Sequence, residues 1–278
     1  MINPSAAKIL IVTVIYNQKI TGTNVYKTLL SEKEAVYIYD NSPAPQPVDN
    51  LPDNWIYISD TSNPGLSTAY NKAAGYASAN GYDWLLISDQ DTIYPPGALE
   101  LYRTYIGKHQ TSRMFIPKVR ISDSTYLSPV KNRLYFARIS PTEPSSGEIT
   151  LKKYAVINSG ILVTTDSFIS CGGYNEKVFL DFSDFQFIER FEDLYKTAYV
   201  TDIICQQDFS DKSDNSEKKM LRFEMFCLSL KEYECVKKNK FFIHMAVLRR
   251  AIALSVKRRS SKPIKFFICR YIISNFFD

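Results

Sequence analysis

The chain sets two carboxylates one residue apart at the end of a short apolar run. Residues 84–88 read Trp-Leu-Leu-Ile-Ser and lead into Asp89-Gln90-Asp91, after which Tyr94-Pro95-Pro96-Gly97 stops the run. An apolar stretch this short, bounded by turn formers, predicts a strand covered on both faces, as in a parallel sheet. The chemistry of an open α/β sheet collects beyond the carboxyl ends of its strands. Two aspartates placed where strand gives way to loop can turn their oxygens on one hard cation that also carries phosphate ligands. An isolated Asp-x-Asp fits a solvated turn capping the next helix just as well, so the pair gains meaning only from what ends beside it.

Three earlier segments repeat the pattern. Residues 8–15, 35–39 and 55–59 predict strands that end in Tyr16-Asn17, Asp40-Asn41-Ser42 and Asp60-Thr61. Residues 22–31 and 66–79 predict helices, the second rich in Ala, with Asn63-Pro64-Gly65 ahead of it and Asn71 one turn inside. Strand, helix, strand, strand, helix, strand predicts an α/β fold, with a mostly parallel central sheet flanked by helices and the polar strand ends along one crevice.

Further on, the pattern predicts a helix over 95–105, a strand over 114–121 and a Pro- and Ser-rich hairpin or lid over 127–148. A strand over 154–163 is interrupted by Asn158-Ser159-Gly160, and the turn Gly172-Gly173-Tyr174-Asn175-Glu176 precedes a helix with Asp181, Asp184 and Glu189 near its start. A last strand over 199–205, a polar loop over 206–219 and a helical remainder follow. This divides the chain into a catalytic domain, 1–219, and a basic C-terminal helical extension, 220–278.

Charge supports that division. The whole chain carries +5, yet from residue 236 onward eleven Lys and Arg face a single Asp, so the rest is net acidic. Phe241, Met245, Leu248, Ile252 and Val256 form an apolar stripe at helical spacing in this basic part. Two readings fit: the stripe lies on the anionic inner leaflet of a membrane, or it packs on the catalytic domain and leaves a solvated basic face. No nucleic-acid module accompanies the charge, so nucleic acid is not an expected partner. Five scattered cysteines without a zinc-ligand spacing read as reduced thiols. With no signal-peptide pattern and no run as long as a membrane span, the expected location is cytoplasmic, with contact at the inner face of the membrane.

The polar strand ends, in order and spacing, resemble one family. Tyr16-Asn17, Asp40-Asn41-Ser42, Asn63-x-Gly65-x-x-x-Ala69-x-Asn71 and Asp89-Gln90-Asp91 look like the inverting family 2 glycosyltransferases of the GT-A fold, nearest the rhamnosyltransferase-like branch that builds bacterial surface polysaccharides. The resemblance covers residues 8 to 205. It implies a nucleoside-diphosphate sugar donor (dTDP-rhamnose or a UDP-sugar), Mg²⁺ or Mn²⁺ as cofactor, and a glycan or lipid-linked glycan acceptor. Carried over, Thr13, Tyr16 and Asn17 line the base and ribose pocket, Asp40 hydrogen-bonds the base, and Asn63, Gly65 and Asn71 shape the donor loop. Asp89 contacts ribose or metal, and Asp91 is the principal metal ligand.

Asn158-Ser159-Gly160 and the Gly172–Glu176 turn resemble the family's acceptor-side turns, and Asp181-x-x-Asp184 falls where the family places its base. The resemblance assigns the base to Asp184, with Asp181 the nearby alternative; Asp181 also fits a helix-start carboxylate favoured by the dipole. One departure stands out. Where the family commonly has a histidine after the last strand, this chain has Cys205-Gln206-Gln207-Asp208-Phe209, leaving a Gln oxygen or Asp208 as third ligand.

Two rival readings stand beside this one. A nucleotidyltransferase would need a glycine-rich phosphate loop after the first strand, which Tyr16-Asn17-Gln18-Lys19 lacks. A non-catalytic sugar-nucleotide or partner-binding domain on the same fold would keep the pocket and lose the chemistry.

Overall fold

A computed structural model of the chain describes residues 7–29, 33–48, 51–131, 139–179, 181–207, 216–233 and 240–272. Four parallel strands, β1 (Ile9–Ile15), β2 (Ala35–Asp40), β3 (Trp55–Ser59) and β4 (Trp84–Asp89), form one half of the sheet, with α1 (Asn24–Leu29) and α2 (Leu66–Ala79) as connections. Their register pairs Ile15 with Asp40, Asp40 with Ser59 and Val14 with Asp89, which aligns the polar strand ends. The predicted crevice follows from this alignment.

The other half comprises β5 (Thr92–Ile93), β6 (Met114–Ser122), β7 (Thr125–Ser128), β9 (Gly147–Thr150), β11 (Ile161–Thr164) and β12 (Thr197–Gln207). The path is β3-β2-β1-β4-β11-β6-β12-β5, with β7 beside β6 and β9 beside β12. Because β11 is antiparallel to both β4 and β6, and β12 is parallel to β6, six long strands share one direction and β11 is reversed among them. The 127–148 excursion holds β7, β8 (Val130–Lys131) and β9, with β8 pairing β10 (Tyr154–Ala155); residues 132–138 lie outside the described ones.

Strand alternation divides the core. Leu10, Val12 and Val14 of β1 pack with Ala69, Ala73 and Ala77 of α2, whose small side chains let the helix lie close to the sheet. Ile9, Ile11 and Ile15 face the opposite layer, with Leu99, Tyr102 and Ile106 of α3 (Ala98–Lys108). A period-2 strand whose two sets are both buried is the mark of an inner strand covered by helices.

After α4 (Thr165–Ser170) and α5 (Ser183–Tyr195), the chain ends in α6 (Ser216–Lys231), α7 (Lys240–Arg258), α8 (Lys262–Phe266) and a π-helical turn, Phe267–Ile272. Helix α6 begins ahead of the expected boundary at 219/220, and it joins the catalytic part: Phe182, at the start of α5, packs on Phe226 and Tyr233 with ring centroids 4.9 and 5.9 Å apart. Of the apolar stripe expected on α7, Leu248 packs against the C-terminal core, the side chain of Phe241 lies outside the described residues, and the other three face outward. Val247, Ala251 and Ser255 form the buried face, whereas Met245, Ile252 and Val256 are 45%, 46% and 73% exposed. Small residues at 251 and 255 permit close helix contact, so packing selects that face over the bulkier one. Among the described residues, no helix is long and apolar enough to cross a membrane.

Candidate active site

The cleft at the strand ends measures about 580 Å³ and is lined by Tyr16, Asn41, Asn63, Gly65, Asp89 and Gln90 from the strand ends and the loop before α2, by Phe179, and by Leu221, Arg222 and Met225 of α6. Asp89 closes its floor. Its Oδ2 accepts hydrogen bonds from the Ser159 hydroxyl at 2.7 Å and Gln207 Nε2 at 3.3 Å, and its Oδ1 accepts from the Tyr70 hydroxyl at 3.1 Å. Burial raises its pKa against the pull of these donors.

Asp91 Oδ1 accepts from the same Gln207 Nε2, also at 3.3 Å. One amide nitrogen therefore bridges both carboxylates, while Gln207 Oε1 is buried with no hydrogen-bond partner. An N–H group shared between two converging carboxylates occupies a place suited to a cation. The two ends of a carboxamide exchange by rotation, which would aim the unpartnered oxygen at the same point. Among the described residues, no three His, Cys, Asp or Glu side chains gather, so a hard cation here would need such a neutral oxygen as third ligand. These residues fit Mg²⁺ or Mn²⁺. Gln207 reaches the pair because β12 continues past its expected end and pairs Gln207 with Thr92 of β5, the residue after Asp91. Asp208, the other ligand considered, lies outside the described residues.

Asp184 stands in the first turn of α5, and its Oδ1 accepts the Phe185 N–H at 2.9 Å. Burial pushes its carboxyl up to about 7, with the charges of Asp89 and Asp181 adding to the rise and the Phe185 N–H opposing it. Asp181 is held differently: its Oδ1 accepts from Arg222 at 3.1 Å. The turn between them is strained, since Phe182 adopts φ +71°. Its packing against α6 holds that conformation.

The remaining expected site residues divide by position. Tyr16, Asn63 and Gly65 line the cleft. Asn63 takes φ +49°, which asparagine tolerates. Gly65 takes φ +93°, and a Cβ there would lie 2.7 Å from the Phe179 carbonyl oxygen. Asn17, the residue after the cleft-lining Tyr16, takes φ +51°, its N–H donating to Ser42 Oγ at 2.8 Å.

Three residues serve elsewhere. Thr13 is fully buried on the face of β1 opposite the cleft-lining Val14. Asp40 is also fully buried, and its oxygens accept from the N–H groups of Ser42 and Gln46, each at 2.8 Å, and from the Tyr57 hydroxyl. It fastens the proline-rich loop, and the cleft is lined instead by its neighbour Asn41, whose buried Oδ1 has no partner. Asn71 holds the Gly-Gly turn: Nδ2 donates to the Tyr174 carbonyl and Glu176 Oε1, and Oδ1 accepts the Tyr174 N–H, all at 2.9 Å. A Cβ on Gly173 would lie 2.5 Å from that Oδ1, which explains the glycine.

Residues 10–169 match the sequence model of Glycosyl transferase family 2, more than half of the chain. The chain belongs to that family. No curated protein matches the sequence. Among solved structures, the fold is similar to that of S. aureus TarS residues 1–349, with a TM-score of 0.51 at 14% identity, covering 86% of this chain and 69% of that one. The same TarS fragment in complex with UDP-GlcNAc matches with a TM-score of 0.48 at 14% identity, covering 87% and 71%. The first of these likenesses shows the GT-A architecture of the family 2 chain, and family membership makes it a glycosyltransferase.

The sequence offers Gln207 only as one of several third ligands, places Ser159 in an acceptor-side turn and Asn41 in a strand-end motif without a role, and does not single out Tyr70 or the α6 residues. For Ser159 and Gln207 a signal was available, the Asn-Ser-Gly interruption and the residues replacing the usual histidine. For Leu221, Arg222 and Met225 there was none, because only tertiary packing brings α6 to the cleft.

Proposed function

We propose that this family 2 glycosyltransferase moves a sugar from a nucleoside diphosphate donor, dTDP-rhamnose or a UDP-sugar, to a cell-surface glycan acceptor with inversion. The observation that carries this reading is the pairing of Asp184, poised near neutrality, with the converging Asp89 and Asp91 carboxylates bridged by Gln207. Asp184 takes the proton of the acceptor hydroxyl while that oxygen forms a bond to the anomeric carbon and the bond from that carbon to the diphosphate breaks. A base whose pKa lies near the working pH is both ionised and strong enough for this transfer. Asp89, Asp91 and the Gln207 carboxamide oxygen would hold Mg²⁺ or Mn²⁺. The cation, when bound, neutralises charge on the leaving diphosphate.

Tyr16 and Leu221 both line the cleft with exposed apolar surface, suited to the face of a nucleotide base, and the Asn41 Oδ1 supplies a buried acceptor. The outward face of α7 (Met245, Ile252, Val256) beside Arg249, Lys257 and Arg259 suits an anionic lipid surface, where a lipid-linked acceptor would be met. Nucleotide release from a panel of nucleotide sugars, with Mg²⁺ or Mn²⁺, tests the function. Release from none of them, together with nucleotide binding that Mn²⁺ does not strengthen, would instead make the chain a non-catalytic binding domain.

A further inference from the structure

A diphosphate entering this cleft meets acidic surroundings. Asp89 lines it, Asp91 adjoins it, and Asp184 lies close enough to feel the charge of Asp89. Among the described residues lining the cleft, Arg222 is the cation. It comes from α6, beyond the residues that match the family. Its side chain is 47% exposed and spends one N–H on Asp181 Oδ1 at 3.1 Å. A guanidinium has five N–H donors in a planar fork that matches phosphate oxygens, and this one lines the cleft with one donor on Asp181.

Asp181 has a second cation within electrostatic reach. Burial raises the Asp181 pKa, and Arg222 and Arg250 of α7 both oppose that rise; the Arg250 guanidinium lies 4.0 Å from the centroid of the Phe226 ring. Departure of Arg222 therefore leaves Asp181 a counter-charge already fixed in place. Arg222 is flanked on the cleft wall by Leu221 and Met225, so the helix face that carries the charge is the face the donor meets.

We propose that Arg222 is a donor-binding residue: its guanidinium exchanges Asp181 for the diphosphate, and Asp181, kept by Arg250, competes with the donor for it. The proposal rests on the nucleoside diphosphate reading of the cleft. It gives the C-terminal helices a part in catalysis, since α6 then supplies the positive charge that the strand ends lack. It also separates Asp181 from Asp184, the first setting donor affinity and the second taking the proton.

The two partners should shift affinity in opposite directions. Calorimetric titration of the full chain with UDP, dTDP, GDP and inorganic pyrophosphate, each with Mn²⁺, reads this directly. Arg222→Gln is expected to weaken the best-bound diphosphate by about tenfold or more, as loss of a charge-assisted contact does, and Asp181→Asn to tighten it several-fold. The matching nucleoside, lacking phosphates, should bind all three proteins alike. If Arg222 merely pins α6 to the Asp181 turn, both variants weaken binding together and nucleoside binding falls with them, which overturns the proposal. Unchanged diphosphate affinity in Arg222→Gln overturns it as well. Should that variant melt below the assay temperature, Arg222→Lys, which keeps the charge but not the fork, must show an intermediate loss. A wild-type chain that binds none of the four probes refutes the underlying diphosphate reading instead.

Discussion

Replacing Asp184 with Asn should abolish transfer and stabilise the fold, with the gain dependent on pH. Burial holds the folded carboxyl near 7, against an ordinary 3.8. Between those values the unfolded chain has released the proton and the folded chain has kept it, so wild-type stability falls as pH rises through this window. Below about pH 4 both states are protonated and the effect vanishes. Above about pH 7 the loss is complete, with a ceiling of about 4 kcal/mol at 1.36 kcal/mol per pKa unit. The residue is only partly buried, which screens the charge, so on the order of 2 to 4 kcal/mol is expected. Asn is isosteric, keeps an oxygen for the Phe185 N–H and cannot ionise, so it recovers this amount. Thermal melts of both proteins in chelator should separate by several degrees at pH 8, at roughly 2 °C per kcal/mol for a chain of this size, and converge near pH 4. In parallel, turnover should fall by about 10² to 10⁴ while diphosphate binding survives. A melting difference that is the same at pH 5 and pH 8 would refute the buried-base argument, and unaltered turnover would remove Asp184 from the chemistry.

Three further outcomes are expected. Gln207→His, which restores the family's usual side chain, should tighten Mn²⁺ binding followed by electron paramagnetic resonance, and Gln207→Leu should weaken it about tenfold; Asp91→Asn, tested alongside, shows whether the cation binds at this pair at all. Gly65→Ala forces a side chain against the Phe179 carbonyl at φ +93°, so chemical denaturation should report a loss of about 2 kcal/mol or more, and donor affinity should drop with it. The triple change of Met245, Ile252 and Val256 to Ser should leave the melting temperature near wild type, because these residues are exposed. It should abolish co-sedimentation with anionic vesicles, and retention of binding would exclude the α7 face as the contact.

The sheet was legible because its signal is local. Each inner strand is a short apolar run, and each run ends in side chains that cannot be buried unpaired, so the crevice could be read from the order of runs. Asp89 and Asp91 were legible for the same reason, while their partners were not. Ser159, Tyr70 and Gln207 reach Asp89 from residues 70, 19 and 118 positions away, distances over which no periodicity speaks. Asp40 shows the limit from the other side. A strand-end carboxylate reads as a ligand until the Ser42, Gln46 and Tyr57 donors that consume it are seen.

The C-terminal helices show a third kind of limit. Periodicity finds the bulkiest stripe on a helix, but contact selects the face whose small residues let helices approach. On α7 these faces differ, Val247, Ala251 and Ser255 being buried and Met245, Ile252 and Val256 exposed. Helix α7 packs inward through the face that periodicity did not single out and leaves Met245, Ile252 and Val256 exposed. Its inward face carries Arg250 to Phe226 and to the electrostatic reach of Asp181. The extension thus forms one wall of the active site through α6, and α7 buttresses that wall. Truncation at residue 219 should for that reason remove donor binding, since Leu221, Arg222 and Met225 leave the cleft together.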